Sequence, residues 1–300
     1  MLLTRRNFFR WLLGLAGLFS LPFIARETQA DPRSSPGRLP GVPIGEFFFG
    51  EELEYEIGLW LLKRAAIARA SFQRVEGKDQ FLGTIQGETQ GVLGWLARYR
   101  VDTYRSTMEV VEGGKRLRSL CFEEEVRIGT KVRRKIHLLD YAGRKWTTKK
   151  LRKNGTWEIK EEPIPEGMVY DDFITAAYNF RYGVYGPVER GRVYRVATFP
   201  RKGATSYEVR VVEKREEEKM RRAGTSKDGK DLFAKLFLDP EVTHSKDGLI
   251  EGWLTEDLYP IEGTIKDVII VGDIRGRLIR RVRGSSFASS RISTVGMLDA

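Results

Sequence analysis

The feature that most limits what this chain can fold into is side-chain alternation with a period of two, repeated along much of its 300 residues and interrupted by tight turns. Leu53, Tyr55, Ile57 and Leu59 fall on one face of an extended segment, and Val101, Thr103, Arg105 and Thr107 open another that runs on to Val111. Successive side chains of a strand point to opposite faces, so this pattern suits a sheet with one covered face. Glu76-Gly77-Lys78-Asp79, Glu112-Gly113-Gly114-Lys115 and Ile128-Gly129-Thr130 each separate two such runs. Asn154-Gly155 is the strongest hairpin signal, since both residues tolerate the positive φ of a type I′ turn. Links this short join antiparallel neighbours, because a parallel pair needs a crossover of a dozen or more residues.

One segment breaks the rhythm. Asp171 and Asp172 precede apolar residues at Phe173, Ala176, Ala177 and Phe180, the spacing of one helical face with an acidic start. Strands resume at 193–199 and 206–212, and after a charged stretch at 213–230 they continue at 232–238, 249–255, 260–271 and 276–282. The charged stretch reads as a solvated strand extension or loop, with a partner-docking site as the alternative. The expected fold is mainly β: a large curved antiparallel sheet or partial barrel built as a meander of at least ten strands. One or two short helices pack on it, the helix at Asp172–Arg181 near the opening.

The ends differ in composition. Thr4-Arg5-Arg6-Asn7-Phe8-Phe9-Arg10 precedes an apolar run from Trp11 to Ile24, shorter than the about 20 residues that span a bilayer comfortably. Arg5, Arg6 and Phe8 resemble the recognition residues of a twin-arginine export signal, with cleavage expected between Ala30 and Asp31. General secretory export and a retained anchor are the alternatives. The chain thus divides into a signal peptide (1–30), a flexible tether (31–46), a single β-rich domain (47–283) and a disordered tail (284–300). The expected location is the periplasm, soluble after cleavage and without a stable membrane span, and the export translocase is the first partner.

Cleavage removes four arginines and one glutamate from 52 basic and 41 acidic residues, leaving 48 against 40 and a net charge of +8. That sign favours anionic envelope components, while the compartment disfavours nucleic acid. The single Cys121 has no intramolecular disulfide partner, and its alternating surroundings read as a half-buried core position.

The residues offer little chemistry. His137 and His244 have no ligand-spaced companions, so neither a metal nor a cofactor is expected. His137 reads as a strand-surface residue and His244 as an exposed loop residue. No nucleophile elbow, phosphate loop or dinucleotide fingerprint is present. Asp171 with Asp172, and Glu123 to Glu125, are the carboxylates that could serve a hydrolase. A helix cap is the favoured role for the aspartates. The aromatic residues are more suggestive. Tyr55, Trp95, Tyr104, Phe173, Tyr178 and Trp253 are candidates to line an apolar concavity inside a curled sheet, although core packing is the favoured role for any one of them.

Several stretches, taken in order, resemble the bacterial family catalogued as domain of unknown function 3108. They are Gly50-Glu51-Glu52-Leu53-Glu54-Tyr55-Glu56-Ile57, then Leu96 through Asp102-Thr103-Tyr104, then Asp172 through Thr175-Ala176 to Tyr178. The last is Trp253-Leu254-Thr255-Glu256-Asp257 with Pro260, followed by a final strand ending at Val282. The match is diffuse but collinear over about 47–282, and it departs at Val101 and in 213–230. The resemblance implies an exported envelope protein with a β-rich fold and brings no activity, cofactor or catalytic residue with it. Its shape is similar to that of periplasmic lipid and lipoprotein carriers. The leading expectation is therefore a non-enzymatic periplasmic protein that binds or carries an apolar or amphipathic envelope molecule such as a lipid or lipoprotein acyl chain. The alternative is a structural scaffold docking an anionic or protein partner, and the third is a carboxylate-dependent hydrolase.

Overall fold

The computed structural model describes residues 41–59, 62–201, 204–222, 231–238, 240, 245–269 and 272–282. The expected signal peptide with Arg5, Arg6, Phe8, Ala30 and Asp31, most of the expected tether, His244 and the expected tail lie outside them.

Fourteen strands form one antiparallel sheet: β1 (Glu51–Leu59), β2 (Leu62–Arg74), β3 (Gln80–Thr89), β4 (Val101–Val111), β5 (Arg116–Ile128), β6 (Lys131–Asp140), β7 (Lys145–Leu151), β8 (Trp157–Pro163), β9 (Val193–Arg201), β10 (Ala204–Val211), β11 (Leu232–Phe237), β12 (Leu249–Leu254), β13 (Pro260–Val268) and β14 (Gly272–Val282). Four short helices accompany them among the described residues: α1 (Ile44–Phe48), α2 (Gly91–Leu96), α3 (Phe173–Tyr182) and α4 (Lys214–Arg222). The expected antiparallel sheet, its meander connections and the hairpin between β7 and β8 are all present, but the hairpin's turn is not type I′: Gly155 alone takes a positive φ, at 83°, and Asn154 does not.

The spatial order runs β8 to β1 and then β14 to β9. The first and last strands therefore pair at the centre, Glu52 opposite Val282 and Leu59 opposite Ile274. The two edges, β8 and β9, are consecutive in the chain, and the segment that joins them carries α3. The sheet curls without closing. Instead of pairing with β8, β9 lies against the inner side of β6 and β7, where the Phe199 ring stacks 4.9 Å from His137 and 5.6 Å from Trp146.

α3 fills the interior of this curl. Ile174, Tyr178 and Tyr182 face a cluster built on β2 to β7, while Ala176 and Phe180 face a second one built on β1, the first half of β2 and β9 to β14. Apolar residues on two sides of one helix are what a fully enclosed helix requires. Burial of each large side chain is worth about 1.5–3 kcal/mol. Asp172 is the N-cap: its carboxylate accepts from the backbone N–H of Ile174 at 2.8 Å and of Thr175 at 3.0 Å. Gly183, at φ 82°, ends the helix in the left-handed conformation that a residue without Cβ adopts at least cost.

Three expectations need correction. α3 is a central plug, not a helix at the opening. The charged stretch begins as helix α4, because acidic residues at its start and basic ones at its end suit the helix dipole and Glu217 pairs with Arg221 one turn on at 3.0 Å. His137 is fully buried. The exposed residues at 131–133 belong to the free end of β6, whereas His137 and Leu139 pass beneath β9. Helix α1 starts at Ile44, within the last residues of the stretch expected as tether.

Candidate functional site

The densest concentration of polar chemistry surrounds α3. Asp172, besides capping the helix, accepts from the hydroxyls of Ser106 at 2.6 Å and Thr175 at 2.7 Å. Asn179 bridges to β5, accepting from Leu117 N–H at 2.9 Å and donating to Leu117 C=O at 2.9 Å. Asp171 meets Arg116 at 3.0 Å and accepts from the Tyr185 hydroxyl and from Asn179 Nδ2 at 3.3 Å. All three donors converge on Oδ2, and Oδ1 has no partner among the described residues. Burial pushes the Asp171 carboxyl up to about 6, outweighing the opposing pull of Arg116 and Tyr185.

At the other end of α3, Arg181 makes a bidentate ion pair with Glu51 of β1, both contacts 2.6 Å. Its guanidinium also lies 4.4 Å from the Tyr259 ring centre and 4.8 Å from that of Phe48. Both partners are almost fully enclosed, at 8% and 3% side-chain exposure. Burial works against the Arg181 charge, but the Glu51 carboxylate beside it more than compensates, so its pKa is raised. α3 is thus fastened to β4 and β5 at one end and to β1 at the other.

Beside this pair lies a cavity of about 50 Å³, lined by Leu53, Tyr55, Ile85, Tyr178 and Arg181 among others. At roughly 10–15 Å³ for each water it has room for a few water molecules and not for an acyl chain.

The six aromatic candidates do not converge. Tyr55 and Tyr178 border the small cavity, and Tyr55 donates its hydroxyl to Pro260 C=O at 2.9 Å. Burial raises both phenols far above their ordinary range. Tyr104 and Phe173 pack edge to face at 5.2 Å within the β2–β7 core. Trp253 is buried against Phe233 on the far side, 4.9 Å between ring centres. Trp95 stands 68% exposed on α2, away from all the others.

The carboxylates proposed for acid–base work are occupied structurally. Asp171 and Asp172 are buried in the α3 network, and Glu123 bridges Arg105 at 2.9 Å and Arg134 at 2.6 Å on the sheet surface. No group of three metal-ligating side chains occurs among the described residues. Cys121 is half-buried, as its alternating setting suggested, and burial lifts its thiol to about 11. His137 accepts from Trp146 Nε1–H at 3.0 Å within an aromatic stack, a packing role.

Glu51, Arg116, Asn179, Arg181 and Tyr185 were not singled out in the sequence. Arg181 sits in a helix whose neighbours Ala177, Tyr178 and Phe180 are apolar, and a cation in such company is the only local sign of a buried partner.

No family model and no curated protein matches the chain. Among solved structures it is similar to the crystal structure of a β-barrel-like protein of domain of unknown function DUF1849 from Brucella abortus. The two are 10% identical over 79% of this chain and 99% of that one, with a TM-score of 0.39. At this level the likeness adds nothing to the fold described above.

Proposed function

We propose that the mature chain is an exported, non-enzymatic envelope protein that acts through its surface, docking on another envelope component. The observation that supports this over carriage of an apolar molecule is the filled interior: α3 occupies the space that a ligand would take. The cavity beside Arg181, about 50 Å³, falls well short of the roughly 300–1,000 Å³ of a small-molecule pocket. Carriage of a lipid or lipoprotein acyl chain would require α3 to leave, breaking the Glu51–Arg181 pair and the Asp172 and Asn179 contacts together. Export and the periplasmic location rest on the leader at 1–30, and the net charge of +8 suits an anionic partner.

The test is native mass spectrometry with lipid extraction on the mature protein, starting at Asp31 and purified from the envelope. The expected result is a ligand-free mass that added envelope lipids neither shift nor stabilise thermally. A co-purifying acyl ligand in stoichiometric amount overturns the reading and returns the protein to the carriers.

A further inference from the structure

The strand ends divide into two sets. One carries α1, the β2–β3 and β4–β5 turns and both ends of the α3 crossover. The other carries the β1–β2 hairpin, α2 with the β3–β4 connection, and the β5–β6 and β7–β8 turns. Exposed apolar side chains gather at the second. Val92 (72% exposed), Trp95 (68%) and Tyr99 (61%) stand there with Leu96, Leu62 and Val132. The pieces are contiguous: Gln90 N–H donates to Ala65 C=O of β2 at 3.0 Å, and Gly129 N–H of the β5–β6 turn donates to Arg98 C=O at 3.0 Å.

Two further features distinguish this end. Arg98 and Tyr99, neither a glycine, both occupy the left-handed region at φ 58° and 50°, a conformation that side chains disfavour. That turn sets the Tyr99 ring beside Gly94, close to Trp95. Such local strain concentrates where a surface is used. The neighbouring hairpin ends are also basic: 128–135 contains Lys131, Arg133, Arg134 and Lys135, and 149–156 contains Lys149, Lys150, Arg152 and Lys153, with no acidic residue in either stretch, although Arg134 pairs across strands with Glu123 at 2.6 Å and Arg152 with Glu158 at 3.5 Å.

We infer that this end of the sheet, led by Trp95 and Tyr99, docks on the surface of an anionic phospholipid bilayer. This rests on the surface-docking reading above and names its partner. Trp and Tyr favour the headgroup level, where an apolar ring is covered while its polar edge stays wet. Basic side chains beside them are drawn to negative headgroups. The apolar residues project from a short helix and turns and do not line a groove, so they suit a soft, laterally continuous partner. A protein partner is the competing outcome.

The experiment is flotation of the mature chain with vesicles of phosphatidylglycerol and phosphatidylethanolamine, and with phosphatidylcholine alone. Binding to the anionic vesicles is expected, weakened by salt and absent with phosphatidylcholine. Trp95→Ser with Tyr99→Ser should weaken it at least about tenfold, because two rings lose their burial. Lys131→Gln with Lys153→Gln should weaken it by roughly twenty-five-fold, at about fivefold for each basic residue near the surface. All four positions are exposed, so unchanged melting curves will show that the variants fold. Wild-type protein that ignores anionic vesicles, or a Trp95/Tyr99 variant that floats as well as wild type, overturns the inference; crosslinking to a protein without vesicle binding does the same. Lipid recovered with the unbound soluble protein is a different failure: it sinks the docking-only reading of the function, since the chain would then be extracting ligand.

Discussion

Breaking the Glu51–Arg181 pair is the sharpest test of whether α3 is a fixed plug or a lid. Both groups are nearly free of solvent contact, and the bidentate geometry satisfies the carboxylate with two short charge-assisted bonds. Replacing one partner leaves the other as an uncompensated charge in the interior, which costs about 3–5 kcal/mol. Arg181→Met is expected to lose that much, because Glu51 must then find water or a proton, and Glu51→Gln is expected to fall in the same range. The double variant removes both charges and should be at least about 2 kcal/mol more stable than the sum of the single losses implies. Urea unfolding of the four proteins followed by far-ultraviolet circular dichroism measures the cycle, with dye binding as a probe of interior exposure. If the helix is a plug, the single variants unfold earlier but remain closed to the dye while native. Single losses below about 1 kcal/mol, or strictly additive effects, would refute the reasoning and put α3 among the movable elements.

The remaining predictions concern other parts of the structure. Asp171 holds its proton up to about pH 6 in the folded chain against 3.8 for the ordinary group, so between those values the folded state binds more protons and this residue's contribution to stability rises as pH falls. From pH 7 to pH 5 the wild type should gain about 1 kcal/mol on Asp171→Asn in urea midpoints, and parallel pH profiles would contradict it. Gly248 sits at φ 68°, and a Cβ there would lie 1.9 Å from Leu238 C=O. Gly248→Ala should therefore cost about 2 kcal/mol or more in thermal unfolding, and a neutral substitution would mean that the β11–β12 connection is looser than described. Trp253→Ala should cost about 3–5 kcal/mol, whereas the equally large Trp95→Ala should stay within about 0.5 kcal/mol of wild type. Equal costs at the two positions would undo the contrast between core and surface aromatics.

What the sequence determined by itself is local. Period-two alternation and turn chemistry depend on neighbouring residues, so β1, β4, the Asn154-Gly155 hairpin and the cap at Asp172 were all legible. The same local logic failed at 213–222, where charge spacing suits a helix as well as a solvated loop, and dipole matching with Glu217 buried under Arg190 decided for the helix. Only the tertiary structure could decide what the aromatic residues do, because alternation states which side of a strand a ring occupies but not what covers that side. Trp253 and Trp95 look alike in the chain, yet one lies on β12 beneath Met220 and Arg221 of α4 and the other stands in the open. The pairing of β1 with β14 and the meeting of Glu51 with Arg181 link residues 130 or more positions apart, and the entry of α3 into the curl links residues more than 60 apart. Such contacts follow from how far the sheet twists and curls before its edges meet, a sum over fourteen strands that no single segment encodes.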